Sequence, residues 1–172
     1  ITRHFVAGTR GGRARNGRVR LSSLGHSLAA LPQDFTDLLT ELCESHVEFL
    51  LVGGWAVILY GHVRATDDMD IFVRPSMTNS ERVFAALEAF GAPLQAHGVA
   101  PGHFAKEGDA YRFGMVPLKV EVLTKISGVS FDQALEGRRT FELDGQQIPY
   151  IGKATLGGAA IVQQRQRFSS KS

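Results

Sequence analysis

The stretch from Phe49 to Pro75, FLLVGGWAVILYGHVRATDDMDIFVRP, constrains the fold more than any other part of the chain. Phe49 to Val52 is an apolar run too short for a helix and the right length for a buried strand. A glycine pair, Gly53 and Gly54, follows, and then the apolar segment Trp55 to Tyr60, which Gly61 stops. After Arg64 and Thr66 the chain re-enters an extended segment that carries Asp68 and Asp70. The order is strand, Gly-Gly, helix, strand with two carboxylates.

Each part has a chemical use. Glycines at a strand-to-helix junction let the backbone come close to a ligand and leave the first helical amides directed at an anion. Residues i and i+2 of a strand share a face, so Asp68 and Asp70 stand together while Met69, Ile71 and Val73 turn into a core. Like charges at that range disfavour each other unless a cation lies between them. Mg²⁺, a hard cation that takes carboxylate and phosphate oxygens, suits such a pair. Taken singly, a glycine pair is a tight turn and Asp-x-Asp a solvated strand edge; together they are the two halves of a nucleotide site.

Gly53-Gly54, a helix-length spacer, then Arg64-x-Thr66-x-Asp68-x-Asp70 and a hydrophobic strand resemble the signature of the DNA polymerase beta-like nucleotidyltransferase superfamily. Within it, GGWAVILYGHVRATDDMDIFV and NSERVFAALEAFG are most similar to small bacterial relatives of the abortive-infection nucleotidyltransferase toxins. The likeness spans roughly Phe35 to Ile151. It implies an α/β (α+β) fold, a small twisted mixed sheet with helices packed mainly on one face.

The remainder of the chain is consistent with that fold. Pro32 and Asp34 start a helix in which Phe35, Leu38, Leu39 and Leu42 recur at helical spacing. Thr78-Asn-Ser-Glu81 reads as a capping box, followed by the apolar stripe Val83, Ala86, Leu87, Phe90 and a stop at Gly91. APLQAHGVAPGHF is loop, and its His97 and His103 lack partners at metal-ligand spacing. In Tyr111 to Thr124, YRFGMVPLKVEVLT, alternation after Pro117 puts Leu118, Val120 and Val122 on one face and Lys119 and Glu121 on the other. By itself that is a polar strand face; the resemblance implies that Glu121 is a third carboxylate contributed by a neighbouring strand. Ser127 to Arg139 holds a loop and a short helix. Thr140 to Ile151 is a hairpin turning at Asp144-Gly145, a pair that favours the type I′ turn.

Charge is divided unevenly. Six of the 19 basic residues are arginines in the first twenty positions, and the rest of the chain carries 13 basic against 17 acidic residues. Residues 1–30, rich in Arg, Gly and Ser, are expected to be a disordered extension; an arm that touches nucleic acid or a transit peptide shares that composition. Residues 31–168 are expected to form one domain, with 169–172 a tail. The single cysteine, Cys43, excludes an internal disulfide. No apolar run is long enough to span a membrane, and a cytoplasmic protein is expected. At the C-terminus the similar proteins carry a lysine-rich helix leading to Gly-Arg and aspartates, whereas this chain has Gly157, Gly158 and a Gln-Arg run.

The function implied is transfer of a nucleoside monophosphate from an NTP to an RNA or protein acceptor, in a toxin with an antitoxin partner. Gly53 and Gly54 would hold the triphosphate. Asp68, Asp70 and Glu121 would hold one or two Mg²⁺ ions, with Glu121 the alternative general base. Arg64 would contact phosphate or brace the site, with Thr66 a minor polar contact and Lys119 a neutralising charge. Two other readings share the residues: a degenerate relative that binds nucleotide or a partner without turnover, and a glycosyltransferase using Asp-x-Asp for a sugar nucleotide.

Overall fold

The computed structural model describes residues 31–62, 65–115 and 117–156. The basic extension over 1–30, Arg64, and the C-terminal Gly157, Gly158 and Gln-Arg run with the tail beyond it lie outside the described residues.

With Pro32 at its N-cap, α1 (Gln33–Glu44) buries Phe35, Leu38, Leu39 and Leu42, the positions its spacing selects. Asp34 lies in the first turn, where the helix dipole favours a negative charge. β1 (Phe49–Val52) is buried along its whole length and runs straight into α2 (Gly53–Leu59). β2 (Asp68–Val73) follows, with Met69, Ile71 and Val73 fully buried.

α3 (Met77–Phe90) corrects one expectation. Its cap is Ser76, whose hydroxyl accepts the Asn79 N–H at 3.2 Å, so Thr78 and Glu81 lie inside the helix and form no capping box. The buried Asn79 side chain explains the earlier start. Its oxygen accepts the Glu48 N–H at 2.8 Å, and its amide donates to the carbonyls of Glu48 and Arg74 at 3.0 Å each. The first turn of α3 is thereby stitched to the ends of β1 and β2. Gly91, at φ +95°, ends the helix as expected.

A strand also lies ahead of Pro117. β3 (Ala110–Met115) pairs antiparallel with β4 (Leu118–Leu123), which itself runs parallel to β2. After α4 (Phe131–Glu136), capped by a reciprocal Ser130–Gln133 box, β5 (Arg139–Leu143) and β6 (Gln146–Tyr150) form the expected hairpin. Its turn has positive φ at both Asp144, +50°, and Gly145, +82°, the type I′ signature. β6 joins β1 in parallel, and the six-stranded mixed sheet has the order β3-β4-β2-β1-β6-β5.

The two faces of the sheet differ. Phe49, Leu51, Met69, Ile71, Val73, Val120 and Val122 look toward α1 and α3 and form the larger core. On the opposite face Leu50, Val52 and Phe72 pack beneath Phe131 and Ala134 of α4. Arg74 anchors that helix: its guanidinium lies 4.8 Å from the centre of the Phe131 ring and bonds Asp132 at 2.7 Å and Glu48 at 3.0 Å. No helix among the described residues is long and apolar enough to cross a membrane.

Candidate active site

Strand register places the acidic side chains. Asp70 is paired with Val52 of β1 on one side and Glu121 of β4 on the other, and Glu121 is paired with Arg112 of β3. Partners across a ladder project from the same face. Arg112, Glu121, Asp70 and Val52 therefore form one row across four strands. The next row holds Gly114, Lys119 and Asp68. All three carboxylates expected at the site thus share the face that α4 covers only at its other end, over Phe72 and Leu50. Asp68 is exposed, and Asp70 and Glu121 are partly buried.

The glycine bend lies against these rows. Gly53 has φ +64°, a left-handed conformation, and a Cβ there would run into the Asp70 carboxylate. A Cβ on Gly54 would come within 2.7 Å of the Thr66 hydroxyl. The missing side chains therefore make room first for this chain's own residues, allowing α2 to begin directly beside the acids. Thr66 donates its hydroxyl to the Asp68 carbonyl at 3.1 Å, which fixes the chain just before β2. The Lys119 N–H donates to the Asp67 carbonyl at 3.0 Å, extending the pairing of β4 with β2 to the start of the carboxylate strand.

Arg112 has no place in the sequence motif. Its Nη2 donates to Glu121 Oε1 at 3.0 Å, with the arginine side chain 64% exposed and that of Glu121 27%. The Glu121 hydrogen bond and charge hold the guanidinium pKa above its ordinary value, with further attraction from Asp68 and Asp70, against an opposing effect of burial. One cation thus interacts with all three acids. Sequence alone offers no signal for it, because a lone arginine in a strand reads as solvated surface until the pairing of β3 with β4 is known.

The donor chemistry fits a divalent cation: three carboxylates, two from one strand and one from its neighbour. Their present arrangement is open. Among the described residues no three His, Cys, Asp or Glu side chains form a group that could hold a metal ion. His97 and His103 are engaged elsewhere, His97 Nδ1 with the Tyr111 hydroxyl at 3.0 Å and His103 Nε2 with the Ala110 carbonyl at 3.2 Å. A small cavity lined by Asp34, Phe35, Phe90, Phe113, Gly114 and Val120 lies on the side of α1 and α3, and none of Asp68, Asp70 and Glu121 lines it.

No family model and no curated protein matches the sequence. A solved structure does match the fold. A candidate nucleotidyltransferase from Thermotoga maritima superposes with a TM-score of 0.58, covering 80% of this chain and 87% of its own at 12% identity. The chain is therefore a mixed α/β protein with a nucleotidyltransferase-like fold, and it brings Asp68, Asp70 and Glu121 to one open face beside the Gly53-Gly54 bend.

Proposed function

We propose that the protein is a divalent-metal-dependent nucleotidyltransferase. The observation that carries this reading is the register match of Asp70 with Glu121 on an uncovered sheet face, next to a glycine bend, in this fold. Asp68 and Asp70 hold the cation, with Glu121 a further ligand; when bound, it neutralises the triphosphate and favours attack at the α-phosphorus. Backbone amides at the bend face the phosphates. Arg64 supplies a phosphate contact and Lys119 a balancing charge.

The acceptor hydroxyl oxygen forms a bond to the α-phosphorus, the bond to the β-phosphate oxygen breaks, and pyrophosphate leaves. Glu121, where it is not a ligand, takes the hydroxyl proton. Positioning and charge stabilisation supply most of the rate, as phosphoryl chemistry requires. The acceptor is RNA or a protein, and the setting, by resemblance, is a cytoplasmic toxin with an antitoxin partner.

One observation favours a second reading. Arg112 already occupies Glu121 and the described residues hold no group of three metal-ligand side chains, which suits a protein that binds nucleotide without turnover. Calorimetry with each NTP and Mg²⁺, followed by transfer of labelled nucleotide to RNA and protein acceptors, separates the two. Binding with transfer is expected, and both are lost in Asp68→Ala/Asp70→Ala. Transfer that persists in the double variant refutes the proposal; binding with no product on any acceptor selects the second reading.

A further inference from the structure

Arg112 and a divalent cation would draw on the same carboxylate, that of Glu121. The guanidinium reaches Glu121 Oε1 from the solvent side of the sheet, through one hydrogen bond of 3.0 Å. A cation ligated by that carboxylate would set a double positive charge beside a group that stays charged at every physiological pH. Repulsion then favours release of the arginine from Glu121, and its largely exposed side chain can turn without disturbing the core. Guanidinium has five N–H donors in a planar fork that matches phosphate oxygens. On this face the nearest new anion is the triphosphate that arrives with the cation.

We propose that Arg112 is a displaceable counterion of the site: it neutralises Glu121 while the acid face is empty and transfers to the triphosphate when metal and nucleotide enter together. The inference rests on the nucleotidyltransferase reading above and names the part of the substrate that Arg112 recognises. Arg112 therefore disfavours binding of a cation alone and favours binding of the metal–NTP pair, a preference that limits occupancy by stray divalent ions.

Two affinities read this out. Mn²⁺ without nucleotide is titrated by electron paramagnetic resonance, and each NTP with Mg²⁺ by calorimetry, for the wild type, Arg112→Ala and Arg112→Lys. Arg112→Ala is expected to bind bare Mn²⁺ about two- to fivefold more tightly, the range of a half-exposed ion pair. The same variant should bind the preferred NTP about tenfold more weakly, as for a lost charged hydrogen bond. Arg112→Lys keeps the charge and loses the fork, so its Mn²⁺ affinity should stay near that of the wild type while its NTP affinity falls between the two. A purely structural brace moves both affinities in the same direction or neither. Unchanged or weaker Mn²⁺ binding, or unchanged NTP binding, in Arg112→Ala overturns the inference while wild-type binding keeps the parent reading intact. If the wild type binds neither probe, the parent reading fails and this inference fails with it.

Discussion

Gly53 and Gly61 both sit at positive φ, +64° and +86°, but only Gly53 has a neighbour where a side chain would go. An added methyl at Gly61 meets nothing within 4 Å, so Gly61→Ala isolates the cost of left-handed backbone, about 1 kcal/mol. Gly53→Ala carries that cost and also drives a methyl into the Asp70 carboxylate. Denaturant melts should show it less stable than Gly61→Ala by at least about 1 kcal/mol. Equal losses would mean that the close approach of bend and carboxylate is absent in solution. The glycine pair and the Asp68/Asp70 spacing were legible in the sequence because each follows from local geometry, φ in one case and the two-residue strand period in the other. Arg112 was not, since its partner is set by the pairing of two strands and a lone arginine has no period.

At the level of elements, the apolar spacing of α1 and α3 and the Asp144-Gly145 hairpin could be read directly, because burial and turn chemistry leave their pattern in adjacent residues. β3 was harder. Only Tyr111 and Phe113 mark its apolar face, with Arg112 and Gly114 on the other, and Gly114 adopts φ +105° with the Leu118 carbonyl 2.7 Å from where its Cβ would be. The start of α3 was misplaced by two residues for a related reason: Asn79 has its partners in other elements. That difference predicts a ranking. Thr78→Ala should be nearly neutral, Ser76→Ala should cost about 1 kcal/mol as a lost cap, and Asn79→Ala about 2–4 kcal/mol, because it takes the side-chain partner from the Glu48 N–H and the Arg74 carbonyl, which flank β1 and β2. Chemical denaturation of the three variants checks the order. A Thr78→Ala loss as large as that of Ser76→Ala would restore the capping box.

Across the molecule, one sheet face is divided between two jobs. Near Leu50 and Phe72 it is closed by α4, with the Phe131 ring centre 5.1 Å from that of Phe72 and the Arg74 guanidinium over the Phe131 ring. Near Asp68 and Asp70 it is left open, where apolar cover would take the carboxylates out of water. Stability and ligand binding should therefore separate. Phe131→Ala removes a buried ring and should lower the free energy of unfolding by about 3 kcal/mol, yet Mn²⁺ should still raise its melting temperature as it does that of the wild type. At Mn²⁺ about a hundredfold above its dissociation constant the gain is about 2.7 kcal/mol. Asp68→Ala/Asp70→Ala should behave in the opposite way, staying within about 1 kcal/mol of the wild type without cation and gaining nothing from Mn²⁺. Thermal melts of the three proteins with Mn²⁺ and with chelator decide the matter. A Phe131→Ala protein that folds but no longer responds to Mn²⁺ would show that α4 also shapes the acid end, and the division of the face would have to be abandoned.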